Sequence, residues 1–463
     1  MSIDSIFPMG RDDLTNGVVS QSVPKGRALI HGRILPQLEV PPKRHTIKPH
    51  TVPNRKEGLN SLYKAGAMLW LLLCHRYPSL RAGNTYRLIN EAMRRYRYRL
   101  YNLSDDPECL DYSSLIDRRY VKEKHWTYAA YIATITSLPL LYKVCDSQKI
   151  LMAILTKTSF GANAKLLDNL NDEVHDTSQA VDALKNWLSA HTRGEYDNQK
   201  RDRDPIIARA ENSAFKMGTW VFRAVNSCRL HTSQMYGAYL NDVIKIVDGQ
   251  INSIKHKADR KGRLPSLREY IGRISEKSIG DLWIDIDLCF LEEGIEGFDG
   301  CQERAIESLK FGNSLIFKSC LFYDDVQDIY EDLSTKSINS SIILALERGV
   351  ISYNDLEEKS AQEMVKKLRE TGILMDTIRL ADLFFITGIE TLYEAKDSLK
   401  GFLDLEGLIR SYRLLRMFLM RKILNMNRDY ESLKLFFSSL GDLDKIKRAI
   451  PDDIMGLKRY IMK

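Results

Sequence analysis

The sequence predicts an all-α fold: one large helical bundle following an extended N-terminal arm. Three observations carry that expectation. From Leu59 onward apolar residues recur at spacings of three and four, as in YAAYIATITSLPLLYKV and ESLKFGNSLIFKSCLFY, the pattern of helices that bury one face. Period-two alternation is scarce, so almost no sheet is expected. Seven of the thirteen prolines fall within residues 1–57, five of them between Pro36 and Pro53.

Taken in order, the arm comes first. Its stretch PPKRHTIKPHTVPNRK cannot be regular helix, because proline lacks the amide hydrogen and clashes with the preceding turn. Residues 1–57 therefore read as a basic, extended arm, and residues 58–463 as the helical body. The run Ala65–Cys74 (AGAMLWLLLC) is about half the length that spans a membrane. A buried helix is expected there, with peripheral membrane contact as the alternative. Breaks between helices are predicted at Pro78, SDDPE, HTRGEYDNQKRDRDP, HKADRKGRLPS, GIEGFDG and STKSINSS. A dozen or more helices fit between them.

Composition narrows the function. At 463 residues and 44% hydrophobic content, the chain can bury a large core. The net charge of +7 is mild, and suits an anionic ligand or an acidic membrane surface. Seven cysteines without a CxxC pair read as reduced thiols of a cytosolic protein, not a disulfide frame or a zinc site. The start, MSIDSIFPMGRDDL, lacks the features of a signal peptide, so a cytoplasmic location is expected. RRYRYR (residues 94–99) could stack on nucleic-acid bases, but reads better as a helix whose tyrosines pack and whose arginines reach solvent. No nucleic-acid partner is expected, and a homodimer is left open. Phosphate-binding glycine loops and Ser-His-Asp orders are absent from the sequence.

Two acidic stretches carry the chemistry. LLDNLNDEVHD places Asp168, Asp172 and Asp176 four residues apart, a slanted stripe of about 12 Å if one helix holds all three. YDDVQDIYED repeats the spacing at Asp324, Asp328 and Asp332, with Asp325 beside the first. Either stripe alone could be a solvated face. The second, however, lies in strongly apolar sequence, where unpaired carboxylates are costly. Two such stripes facing each other would form a site for a hard cation, Mg²⁺ first, which usually takes one or two carboxylates and completes its shell with water and phosphate. A phosphorylated ligand follows. His175 reads as a hydrogen-bonding neighbour, and Asp281, Asp285 and Asp287 as an ordinary polar helix face.

Two aspartate-rich helices about 150 residues apart in an all-helical chain resemble the class I isoprenoid synthase superfamily. Asp168–Asn–Leu–Asn–Asp172 resembles its first aspartate-rich motif, and LDNLND looks like the large-terpene synthases. Asp324, Asp328 and Asp332 match the spacing of the terpene-synthase metal triad; Asp328–Ile–Tyr–Glu–Asp332 is also similar to the DxxxD of squalene and phytoene synthases. LPSLREYIGRISEKSIGDLW resembles the segment carrying a diphosphate-sensing arginine, with Arg273 the first candidate and Lys277 the second. The alternative is a basic face of Arg268, Arg273 and Lys277 paired with Glu269 and Glu276. The resemblance implies a bundle of the isoprenoid synthase type and Mg²⁺ held by Asp168, Asp172, Asp176, Asp324, Asp325, Asp328 and Asp332. It further implies a prenyl diphosphate substrate ionised to a carbocation and pyrophosphate. The GGKRxRP segment and the arginine pair of chain-elongating enzymes are missing, which favours a terpene synthase. Coupling of two prenyl diphosphates comes next, and a non-catalytic scaffold of the same fold is the alternative from another class.

Overall fold

The computed structural model describes residues 74–173, 176–197, 204–230, 233–258, 264–427 and 429–462. They belong to one compact body, Trp70–Lys463. The predicted arm, its boundary at residue 57, residues 65–73 of the apolar run, His175 and the loop 259–263 lie outside the described residues.

Every regular element among the described residues is helical, as the periodicity predicts. The elements used below are α1 (Ala82–Tyr101), α2 (Glu123–Leu141), α3 (Ser147–Glu173), α4 (Thr177–Thr192), α5 (Pro205–Ser227), α6 (Gln234–Ala258), α7 (Leu267–Gly272), α8 (Gly280–Gly294), α9 (Gly300–Gln327), α10 (Ile329–Thr335), α11 (Ser340–Glu347), α12 (Ile373–Glu394) and α13 (Leu405–Asn427). Their ends follow local chemistry. Asp204 accepts the Ile206 amide at 2.7 Å and Pro205 takes the first helical position of α5, where its missing N–H costs nothing. Asp299 and Gln302 form a capping box that opens α9 within the predicted break GIEGFDG. Asn339 caps α11 within the break STKSINSS.

Helices α2 and α8 form the centre, and both are buried on nearly every side. Around α8 pack α2, α3, α6 and α9. That burial corrects the expected polar face at Asp281, Asp285 and Asp287. Asp285 and Asp287 are fully buried, because α8 has no solvated side to present. Their charges meet lysines instead: Lys157 of α3 at 2.5 Å from Asp287, and Lys310 of α9 at 2.6 Å from Asp285. A second axis is the pair α9 and α12, which approach closely at Gly312 and Gly388. A Cβ on Gly388 would stand 2.6 Å from the Gly312 carbonyl oxygen, so no larger residue fits without moving a helix.

Elsewhere, RRYRYR lies on α1 and meets the expected pattern only in part: Tyr98 is exposed, and burial lowers the Arg99 pKa. Tyr96 is buried against Trp126, while Arg94 and Arg95 reach Glu91, and Arg97 reaches Glu123. All seven cysteines are free thiols. No helix among the described residues is long and apolar enough to cross a membrane.

Candidate functional site

The second acidic stripe lies at the C-terminal end of α9. Tyr323, one residue before it, is locked in the core. Its hydroxyl donates to Asp382 of α12 at 2.6 Å, and Arg416 of α13 donates to the same carboxylate at 2.6 Å. This buried triad ties three helices together just behind Asp324. The helix then pauses at Asp328 and resumes as α10, but the i to i+4 bonding continues through Asp324, Asp328 and Asp332. Asp324 and Asp328 share one partner, Lys422, while Asp332 turns to Asn339. Contrary to the expectation of deep burial, Asp324 is 52% and Asp328 42% exposed. The stripe stands at the rim, because the apolar run of α9 ends before it.

Each carboxylate has a different environment. Asp324 and Asp328 share Lys422 of α13, whose ammonium is 3.0 Å from the first and 3.8 Å from the second. Burial, and next the charge of Asp324, push the Asp328 pKa up. Asp325 faces the other way: it accepts from the Tyr270 hydroxyl and the Ser340 amide, each at 2.9 Å, and burial pushes it up to about 6. Asp332 accepts from Asn339 at 2.8 Å and is pushed up to about 7, again mainly by burial. Lys277 stands near enough to both for its charge to oppose those shifts.

Asp168 lies in the last turns of α3 and pairs with Lys165 at 2.6 Å. That same Lys165 acts electrostatically on Asp328, so the ends of α3 and α9 share one field. Between them stands the start of α2. Lys124 there has its pKa lowered by burial and then by the charges of Lys122, Lys422 and Lys165, while Asp328 opposes the shift. His125 is pushed down to about 4 by burial and by lysines 165, 124 and 122. Lys124 of α2 and Lys165 of α3 thus lie within electrostatic reach of each other and of Asp328, and Lys422 of α13 bridges Asp324 and Asp328. Like charges held this close call for an anion, and the flanking carboxylates call for a cation.

Three rings pack together within reach of Asp324. Phe418 meets the rings of Tyr131 and Tyr128 edge-on at 5.1 and 5.8 Å, and Arg421 lies over Phe418 at 5.7 Å. Tyr128 in turn feels the charges of Arg421 and Asp324. A pocket of about 1050 Å³ opens elsewhere, beside α6, α8 and α9, and its Asp242 and Glu276 are already paired with Lys245, Lys310 and Lys318.

The sequence-predicted residues divide as follows. Asp168, Asp324 and Asp328 come to the common lysine cluster, and Lys277 comes to Asp325 and Asp332. Asp172 lies in α3, with its side chain outside the described residues. Asp176 does not continue the stripe. The described residues of α3 run to Glu173, and Asp176, in extended backbone, caps α4 by accepting the Ser178 amide at 2.8 Å. Arg273 is 75% exposed, and its guanidinium stands 3.9 Å from Glu269, a pairing of the basic-face alternative. Asp325 is committed to Tyr270 and the start of α11. Sequence reasoning missed Lys122, Lys124, Lys165, Arg421 and Lys422. The pair Arg421–Lys422 carries a signal, being two cations inside the apolar run RMFLMRKIL. The others are ordinary lysines until the fold gathers them.

Among the described residues no three His, Cys, Asp or Glu side chains gather closely enough to hold an ion. Asp324 and Asp328 alone suit Mg²⁺, which seldom takes more than two protein carboxylates. They are hard oxygen donors one turn apart, mutually repelling, at a water-accessible rim.

Several solved structures are similar to this chain. A linalool/nerolidol synthase from Streptomyces clavuligerus is 12% identical with a TM-score of 0.41, over 71% of this chain and 95% of that one. The same enzyme in complex with 2-fluorogeranyl diphosphate is 11% identical with a TM-score of 0.40, over 71% and 98%. A mutant of SVS_A2, a protein from ancestral sequence reconstruction, is 14% identical with a TM-score of 0.41, over 70% and 81%. No protein-family model and no curated protein matches the chain. The likeness is one of helical layout, and no residue role is carried across it.

Proposed function

We propose that the chain is a Mg²⁺-dependent, class I terpene synthase-like enzyme that ionises a prenyl diphosphate to an allylic cation and pyrophosphate. One observation supports this above the others: Lys422 bridges Asp324 and Asp328, Lys165 pairs with Asp168, and the charges of Lys165 and Lys124 reach Asp328. A metal diphosphate matches that alternation, since the anion meets the lysines and the cation meets the carboxylates. When bound, Mg²⁺ supplies charge neutralisation on the departing pyrophosphate. Asp324 and Asp328 would hold it, and Asp168 is linked to them through Lys165. Lys124, Lys165 and Lys422 bind and orient the phosphate oxygens, and their stabilisation grows as charge develops on the leaving group. The ring cluster Tyr128, Tyr131 and Phe418 is the aromatic group this reading assigns to the allylic cation.

The test is incubation of the full chain with prenyl diphosphates of increasing length and Mg²⁺, reading pyrophosphate release and then products by mass spectrometry. Release that depends on Mg²⁺ is expected. Its absence with every chain length, in folded protein, would leave the second reading, a non-catalytic helical bundle in which Lys422 neutralises the stripe for good. The products separate cyclisation, a linear terpene and the coupling of two substrates.

A further inference from the structure

Lys422 stands where a cation between two carboxylates would stand. Its ammonium reaches Asp324 at 3.0 Å and Asp328 at 3.8 Å, on the side of α9 that faces the other lysines. We infer that Lys422 is an exchange residue: it and a divalent cation compete for the same two carboxylates, and the displaced ammonium turns to a phosphate oxygen of the incoming diphosphate. This rests on the reading of Asp324 and Asp328 as metal ligands.

Three features favour exchange over a permanent pair. Lys422 is 50% exposed, and its partners 52% and 42%, so water screens the attraction and the pair is weak enough to yield. The backbone that carries it is fixed. Arg416, six residues earlier, is locked on Asp382, and the Leu419 carbonyl accepts from Gln327 of α9 at 3.3 Å. Only the side chain needs to move, and lysine is a point charge on a flexible four-carbon stem. The third feature is repulsion. Lys422 is close enough to Lys124 for their charges to oppose each other, and Lys165 and Lys122 act on Lys124 too. Once a divalent cation takes the carboxylates, Lys422 loses its partners within reach of Lys124, and an anion becomes a favourable one. Each ligand thereby prepares the site for the other, so that metal and diphosphate bind with positive coupling.

The experiment compares the full chain with Lys422→Gln and Lys422→Arg. Mn²⁺ alone serves as the metal probe, read by the loss of its free electron paramagnetic resonance signal. Inorganic pyrophosphate is then titrated calorimetrically at saturating Mn²⁺. Lys422→Gln is expected to bind Mn²⁺ about fivefold more tightly, the equivalent of about 1 kcal/mol for a lost exposed competitor, and to bind pyrophosphate more weakly. Lys422→Arg, which keeps the charge, stays near the parent on both. Opposite signs on the two affinities are the mark of exchange. If both fall together, Lys422 is a structural support and the inference is wrong. Unchanged Mn²⁺ affinity in Lys422→Gln, with binding abolished in Asp324→Asn, sinks the exchange and leaves the metal site standing. A parent chain that binds no Mn²⁺ overturns the metal reading, and the exchange with it. Helical circular dichroism of each variant confirms folding, and Lys422→Met replaces Lys422→Gln if the amide disturbs α13.

Discussion

Asp324 and Lys422 are both half-exposed, so changing either probes chemistry with little effect on the fold. Asp324→Asn is expected to lower Mg²⁺-dependent pyrophosphate release by about 100-fold or more, the usual scale for losing a group that stabilises developing charge. The helical circular dichroism stays unchanged; release that survived at the parent rate would remove Asp324 from the site. Buried residues behave differently. His191 is fully buried beside Trp187 and Asn163, and burial pushes its pKa down to about 3. The unfolded chain, with an ordinary histidine near 6.5, therefore binds the proton first. Stability is full above pH 6.5 and falls as the pH drops below it, by about 2 kcal/mol at pH 5 from this residue alone. His191→Leu should flatten the stability profile between pH 6.5 and 5, whatever its cost at neutral pH. At this scale spacing brings out Asp324 and Asp328, which share Lys422, but not the different surroundings of Asp332, which lies in α10 and accepts from Asn339. Asp176 misleads because the same spacing assumes an unbroken helix, while aspartate is also a preferred N-cap. The lysines stay hidden, since no sequence interval links Lys124 to Lys422.

Among elements, the contact of α9 with α12 holds the acidic stripe in place. Gly388→Ala drives a methyl group into the Gly312 carbonyl oxygen, and a loss of about 1–3 kcal/mol is expected from overpacking. The midpoint of urea unfolding measures it. The pair Lys157–Asp287 joins α3 to α8 in the same way, with both side chains fully buried and Thr136 also accepting from the ammonium at 2.9 Å. Burial lowers the Lys157 pKa and raises that of Asp287, so each depends on the other to stay charged. Lys157→Met should cost about 3–5 kcal/mol by stranding Asp287, whereas Lys157→Met with Asp287→Leu should recover much of it. A double variant as unstable as the single would contradict that account. Helix positions are legible from three-and-four spacing and from the proline and glycine breaks. What packs against a helix is not, which is why the acids of α8 read as a polar face although the helix is central.

Across the whole molecule, the bundle brings charges from α3, α9 and α13 within reach of the start of α2, and Asp332 of α10 and Lys277 of the turn Ile274–Lys277 stand by Asp325. The all-helical class is legible because it is a property of local periodicity; the convergence is long-range, and the two acidic motifs suggest it only together. The account's central claim is that this end of the bundle grips a metal diphosphate. Its most direct test is pyrophosphate release from a series of prenyl diphosphates, with and without Mg²⁺. Release with at least one chain length, absent when the metal is chelated, is the predicted result. Folded protein that releases none, with Mg²⁺ present and every chain length tried, would contradict it.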